Sequence, residues 1–310
     1  MQRKSSRGNP NHYPKGTPRG GQFAPKGVGM TINHSDEYYE AKTSLRNGSI
    51  SEAEFEKAWG KDTRFVPAKT RAEAEEFTRS LGVRPYFKGL DIDTCNECNR
   101  ALAETLNEFP EIKKDIRVIG SGQEINKEIK RRLKPIIAAE FQEKYEGSFP
   151  QSAIDRGVKK TLNQYGKRMD GYAYFSRKNL RAGASSEKAE IMNEYSGIYL
   201  HTKNMHSANA TRVDYTRDVA RRFHPENTSF NATKAIIDHE LGHAIDHAYG
   251  ISEKVNTRGK TKDEIANGLS RYALENNREY VAEAWCEYRN SPTPRKIAIE
   301  VGEIIEGVKA

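Results

Sequence analysis

Apolar positions along most of this chain recur every three or four residues, the period of an amphipathic helix. The pattern predicts helices over 70–81, 91–108, 123–145, 152–164, 207–222, 230–248, 262–274, 276–289 and 293–307. Pro135 should kink or split the third of these, since proline removes an amide donor and crowds the preceding turn. Residues 35–60 read as two shorter helices broken at Asn47 and Gly48, the second opening on the capping-box pair Ser51 and Glu54. Three runs, 115–119, 171–176 and 196–202, are rich in β-branched or aromatic residues and predict short strands. Residues 1–30 show no period and consist largely of Gly, Pro, Ser, Asn and basic residues, a composition that predicts a disordered tail. The outline is an α+β fold, mainly helical, with a small mixed sheet. It divides into a basic tail over 1–30, a helical linker or hairpin over 31–69 and one domain over 70–310.

Composition adjusts this picture in three ways. Only 35% of the 310 residues are apolar and 30% are charged, so the core should be compact and the helices well solvated outside it. The net charge of +8 is uneven: six basic residues and no acidic one fall within 1–29, leaving the rest close to neutral. Such a tail could meet nucleic acid or an acidic protein surface, or remain a solvated arm. No run approaches the roughly 20 apolar residues that a membrane helix needs, and none follows the first basic residues as a signal peptide would. Three cysteines, Cys95, Cys98 and Cys286, are too few for a disulfide framework and fit a reducing compartment.

The candidate chemistry sits in the segment SFNATKAIIDHELGHAIDHAYG, residues 229–250. Ser229 or Asn231 can cap its start, and Gly250 stands where a helix-ending glycine belongs. His239 and His243 are four residues apart, so they share one helix face and can reach a single zinc ion. Glu240 lies beside them, placed to take a proton from water. The bland alternative, a helix with two surface histidines, suits a segment with apolar residues on several faces less well. Zinc needs a third protein ligand. The three-histidine pattern HExxHxxGxxH is excluded, because Asp246 and Tyr249 occupy its Gly and last His positions. His247, a further turn along, reads as a rim or structural histidine. The later segment NNREYVAEAWCEY, 276–288, places Glu279 and Glu283 four apart between small residues Ala282 and Ala284. The economical assignment makes Glu279 the ligand and Glu283 an acceptor for a ligand histidine N–H. The competing readings are a capping box of Asn276 with Glu279 and a solvated face for Glu283, a stripe that Glu287 continues as a face residue. Cys95 and Cys98 form a CxxC without a second pair and read as two helix-face cysteines.

HELGHAID at 239–246, followed by LSRYALENNREYVAEAW at 269–285, resembles the catalytic domain of the anthrax lethal factor family of zinc peptidases. Those proteins carry an HExxH helix and a later glutamate helix of the form ExxAEAF; Trp285 stands here where the family has Phe. The resemblance implies a zincin-like metallopeptidase domain with zinc ligands His239, His243 and Glu279 and Glu240 as general base. It implies that Tyr272, seven residues before Glu279, stabilises the oxyanion, and that Asp246 supports a ligand from behind. In zincins an edge strand near the metal binds the substrate backbone, a role open to 196–202. The likeness is strong over about 235–290 and weaker back to about 70. The segment PKGTPRGGQFAPKG at 14–27 resembles N-terminal stretches of phage head-morphogenesis and minor capsid proteins.

Three functions follow as expectations. The first is a phage-encoded zinc endopeptidase acting on a virion or host protein, located in the bacterial cytoplasm or the virion. The second is a catalytically silent virion protein that keeps the fold and docks on capsid, portal or DNA through residues 1–30. The third is a toxin of the same chemistry delivered to another cell.

Overall fold

The computed structural model describes residues 66–165, 171–176, 186–226, 228–255 and 259–308. The tail over 1–30, and the linker with its Ser51–Glu54 pattern, lie outside the described residues except for 66–69. The described chain runs through α1 (Arg71–Ser80), β1 (Arg84–Tyr86), α2 (Ile92–Glu108), β2 (Val118–Ser121), α3 (Gly122–Tyr145), α4 (Gln151–Asn163), β3 (Ala173–Ser176) and α5 (Ser186–Glu194). It continues through β4 (Gly197–Leu200), α6 (Thr202–Met205), α7 (Ala208–Ala220), α8 (Ala232–Tyr249), α9 (Ile251–Lys254), α10 (Lys262–Gly268), α11 (Asn277–Asn290) and α12 (Lys296–Glu306). The fold is α+β and mainly helical, with a four-stranded mixed sheet in the order β1-β2-β4-β3.

β1, β2 and β4 run parallel; β3 lies antiparallel to β4 and forms one edge. Side chains of a strand alternate between faces. Ile119, Ile198 and Leu200 accordingly point into the core cluster that holds α8 and α11. Val118 and Tyr199 point the other way, into a second cluster beneath the α3–α4 hairpin. The sheet is thus a middle layer between the helices that carry the candidate chemistry and a helical hairpin that does not.

Local chemistry explains several boundaries. Thr70 and Asp91 cap α1 and α2 by accepting the amides of Glu73 and Thr94. Gly250 ends α8 with φ 64°, a left-handed conformation that costs glycine no Cβ clash. Neither Ser229 nor Asn231 caps α8 with its side chain; a 3-10 turn over Ser229–Asn231 leads in instead. α3 passes through Pro135 without splitting, because the proline is exposed and water can satisfy the carbonyl it frees.

Four expectations shift. β1 was not anticipated: it is three residues long and contains Pro85, so its period is too short to read. α5 was not anticipated either. The strand expected at 115–119 lies at Val118–Ser121, after a 3-10 turn over Pro110–Lys114. The helix expected over 262–274 stops at Gly268, where Leu269 takes φ −145° and ψ −86°, and a 3-10 turn over Tyr272–Leu274 follows.

α8 is buried along nearly its whole length, as its apolar content requires. Its buried lysine, Lys234, is neutralised by Glu104 at 2.8 Å and Asp238 at 2.7 Å. Arg289 of α11 joins the same network through Glu104 at 3.0 Å and Glu108 at 2.7 Å. Buried charges persist only when paired, and this network ties α2, α8 and α11 together. Cys95 and Cys98 are free and buried on α2, and Cys286 is free and buried on α11. Among the described residues no helix is long and apolar enough to cross a membrane.

Candidate metal centre

The centre depends on how closely α8 and α11 approach. Gly242 of HELGH faces Ala282; a Cβ added at Gly242 would stand 3.0 Å from the Ala282 Cα. Glycine against alanine lets the backbones come near enough for side chains of both helices to meet at one point. Asn276 starts α11, its side-chain oxygen accepting the amides of Arg278 and Glu279. The capping role read for Asn276 is therefore real, yet the Glu279 carboxylate turns to the histidines rather than back to the cap.

One oxygen of Glu279, Oε2, lies 3.1 Å from His239 Nε2 and 3.2 Å from His243 Nε2. Ligand atoms about 2.1 Å from one zinc ion at tetrahedral angles stand about 3.4 Å apart. The spacing fits three ligands around a common centre. Among the described residues His239, His243 and Glu279 form the one group of this kind. Neither imidazole nitrogen is aligned to donate to Glu279 Oε2, which leaves a buried carboxylate oxygen without a hydrogen-bond donor. An acceptor of that sort, facing two imidazole nitrogens, suits a cation between the three. Burial works against charge on Glu279, but His239 and His243 beside it hold its carboxyl well below the usual range. Burial likewise disfavours a charged His239, yet Glu279 and Glu283 outweigh it and raise the imidazole well above its ordinary value.

Behind His239 stands Glu283, 1% exposed. Its Oε1 is 2.8 Å from His239 Nδ1, although off the ring N–H direction. The Ser270 hydroxyl donates to its Oε2 at 2.7 Å. Despite burial, His224 and His239 hold the Glu283 carboxyl down at about 2. Glu283 therefore stands against the Nδ1 side of His239, away from the Nε2 that faces Glu279.

Glu240 is 6% exposed on the cleft side of α8. Burial pushes its carboxyl up, against the pull of His239 and His243, and the Phe175 backbone N–H donates to it. Tyr272 stacks on His239 with ring centroids 5.9 Å apart. Burial and the acids Glu279, Glu240 and Glu283 raise its phenol, so it stays a hydrogen-bond donor. Two cavities meet at these residues. One, of about 450 Å³, passes Asp246, His247, Glu253 and Arg278. The other, of about 650 Å³, passes Tyr172, Tyr215, Phe223 and His224. Both are lined by Ala173, His239, Glu240 and Tyr272.

Several expectations are corrected. The strand beside the centre is β3, an edge strand whose Ala173, Tyr174 and Phe175 line the cleft. The strand read at 196–202 is β4, which pairs on both sides and has no free edge to offer. Glu287 is not a solvated face residue: it is 1% exposed and accepts from the Arg295 amide at 2.8 Å and guanidinium at 2.7 Å. The chain leading into α12 covers that side of α11. Asp246 lines the first cavity, and its carboxylate accepts the Ser252 amide at the end of α8. His247 lines the same cavity.

Two residues of the centre had no sequence signal. His224 follows α7 in a loop, and Ser270 sits in the break after α10; both contact Glu283. Irregular backbone has no period, so nothing in the spacing marks them. No protein-family model, curated protein or solved structure matches this chain.

Proposed function

We propose that this protein is a zinc-dependent endopeptidase of the two-histidine, one-glutamate type, with the zincin-like domain that the lethal factor resemblance implies. The observation that carries the reading is the convergence of His239, His243 and Glu279 on one point in the cleft, with Glu240 and an edge strand at its mouth. Zinc held by these three residues would supply an activated water at neutral pH and a Lewis acid for the peptide carbonyl.

The chain's own residues do the rest. An extended substrate adds to β3 through backbone hydrogen bonds, and its flanking side chains enter the two cavities. Glu240 takes the proton from the attacking water and passes it to the leaving amine. Its raised carboxyl pKa suits that exchange, and the Phe175 amide fixes its direction. The Tyr272 hydroxyl donates to the developing oxyanion. Glu283 orients His239, and Asp246 secures the end of α8. A virion or host protein as substrate, and a place in the bacterial cytoplasm or virion, rest on residues 14–27.

Metal analysis combined with N-terminal proteomics of cells producing wild type and Glu240→Gln tests the reading. Wild type should carry near-stoichiometric zinc and generate new N-termini that a chelator prevents. E240Q should keep the zinc and lose the cleavage, a drop of about 10²–10⁴-fold or more. Glu279→Ala should lose the metal itself. Cleavage by E240Q, or full zinc retention by E279A, would remove the assignment. Zinc binding with no chelator-sensitive product would point instead to a protein that keeps the site and does not cleave.

A further inference from the structure

The buried carboxylate behind the centre has one partner that the mechanism above leaves without a role. His224 Nδ1 lies 3.2 Å from Glu283 Oε1 and 3.4 Å from Oε2. Glu283 thereby accepts from His224 and Ser270 and stands 2.8 Å from His239 Nδ1. A carboxylate can accept about four hydrogen bonds, and once removed from water it needs most of them.

The route by which His224 reaches this position is unusual. α7 ends at Ala220, and Arg222 then turns with φ 57°, the one positive value at a non-glycine residue among those described. That conformation strains any residue with a Cβ. The turn is held on both sides. Arg222 and Phe223 donate their amides to Val219 and Asp218, each at 2.8 Å. Their carbonyls accept from Arg271 at 2.8 Å and Tyr272 at 3.2 Å. The loop bearing His224 is thus stitched to the segment bearing Ser270 and Tyr272. The His224 ring lies against Tyr215, centroids 5.0 Å apart at 14°, and meets Tyr272 edge-on at 5.8 Å. These contacts fix the ring so that Nδ1 faces Glu283 while the ring edge lines the larger cavity.

We propose that His224 is a positioning residue of the metal centre: with Ser270 it fixes the Glu283 carboxylate, which in turn holds His239 with its proton on Nδ1 and its Nε2 free for the metal. The inference rests on the metal centre proposed above and adds a residue from a distant loop to it. Support behind a ligand histidine sets ring orientation and basicity, and losing it lowers metal affinity about 10–100-fold. A histidine that merely packed under Tyr272 would have no such effect once its ring volume was preserved.

Two substitutions separate these roles. His224→Phe keeps the stack on Tyr215 and removes the donor. His224→Asn places an amide donor near the Nδ1 position and gives up the stack. The readouts are zinc affinity by chelator competition and the visible spectrum of the cobalt-loaded protein, which reports ligand geometry. The melting temperature of the metal-free protein serves as the folding control. H224F should bind zinc about 10–100-fold more weakly and shift the cobalt spectrum; H224N should stay within a few-fold of wild type. If H224F does not fold, His224→Gln takes its place, since its amide reaches the Nε2 position and leaves Glu283 without that donor. Zinc binding by H224F or H224Q equal to wild type overturns the proposal, as does equal impairment in H224N. A wild-type protein that binds zinc, and loses it in His239→Ala, keeps the metal centre standing whatever H224F does. A wild-type protein that takes up no zinc overturns both.

Discussion

A buried imidazole between two carboxylates holds its proton strongly, and at His239 this has a measurable consequence. In the metal-free protein burial disfavours a charged His239, but Glu279 and Glu283 outweigh it and raise the imidazole well above its ordinary value. The sign is that of a raised folded-state value: this pairing stabilises the metal-free fold fully below the unfolded value and fades as pH rises through the folded one. The Glu283 carboxyl, held at about 2, contributes above its unfolded value near 4.5 and is lost as pH falls through 2. Zinc requires a neutral imidazole. Zinc should therefore compete with the proton on His239, so that binding releases protons and affinity falls as pH falls. Calorimetry in buffers of different ionisation enthalpy measures that release; an enthalpy independent of buffer would remove the argument. Tyr272 offers a second test. Tyr272→Phe deletes a hydroxyl while keeping the stack on His239. It should lower kcat about 10²-fold, with zinc content unchanged and KM little altered. A loss confined to KM would make the tyrosine a binding residue. At this scale the sequence was legible wherever the candidate site follows the helical period. His239, Glu240, His243, Glu279 and Glu283 fall into register on two helices, and the structure brings them together. His224 and Ser270 were invisible, since a residue delivered by a left-handed turn or a helix break leaves no spacing to read.

Elements add what single residues cannot: the distance between α8 and α11. Gly242 against Ala282 sets it, because any Cβ at Gly242 already stands 3.0 Å from the Ala282 backbone. Gly242→Val should push the helices apart, cost about 1–3 kcal/mol from overpacking and weaken zinc binding in the same variant. Gly242→Ala should be milder, since the neighbour need give only a few tenths of an ångström. Zinc titration and thermal melting of both variants test this; full affinity in G242V would show that the ligands do not depend on the helix spacing. The same scale shows where pattern reading stops. The long periodic helices were legible because a buried stripe repeats many times, and α8, buried on most sides, was recognised by its apolar content. The break at Leu269 was not, since the apolar spacing of 262–274 continues across it. That break matters to the site: it turns Ser270 inward to Glu283 and leaves Tyr272 facing the cleft. β3 and β4 were both legible as strands. Which of them forms the edge depends on pairing among distant segments, which local alternation does not encode.

At the scale of the whole molecule the sheet divides the interior in two. α8 and α11 pack in one cluster, while the α3–α4 hairpin closes the other. The two share strands β2 and β4, whose neighbouring residues Val118 and Ile119, and Tyr199 and Leu200, face opposite ways. Among the described residues, none of the His239, His243 and Glu279 group comes from the hairpin side. A lesion there should lower global stability without altering the metal centre. Leu133 of α3 is fully buried in the second cluster. Leu133→Ala should cost about 2–5 kcal/mol through lost transfer energy and a residual cavity. Zinc, binding only the native state, should add the same stabilisation to variant and wild type, because its increment depends on affinity and free concentration alone. Unfolding of both proteins with chelator and with a fixed zinc excess measures the two terms separately. Equal increments mean that the hairpin supports the fold and the opposite layer supports the chemistry. A smaller increment in L133A would show that strain passes through β2 and β4 into the ligands, and that the hairpin belongs to the functional unit.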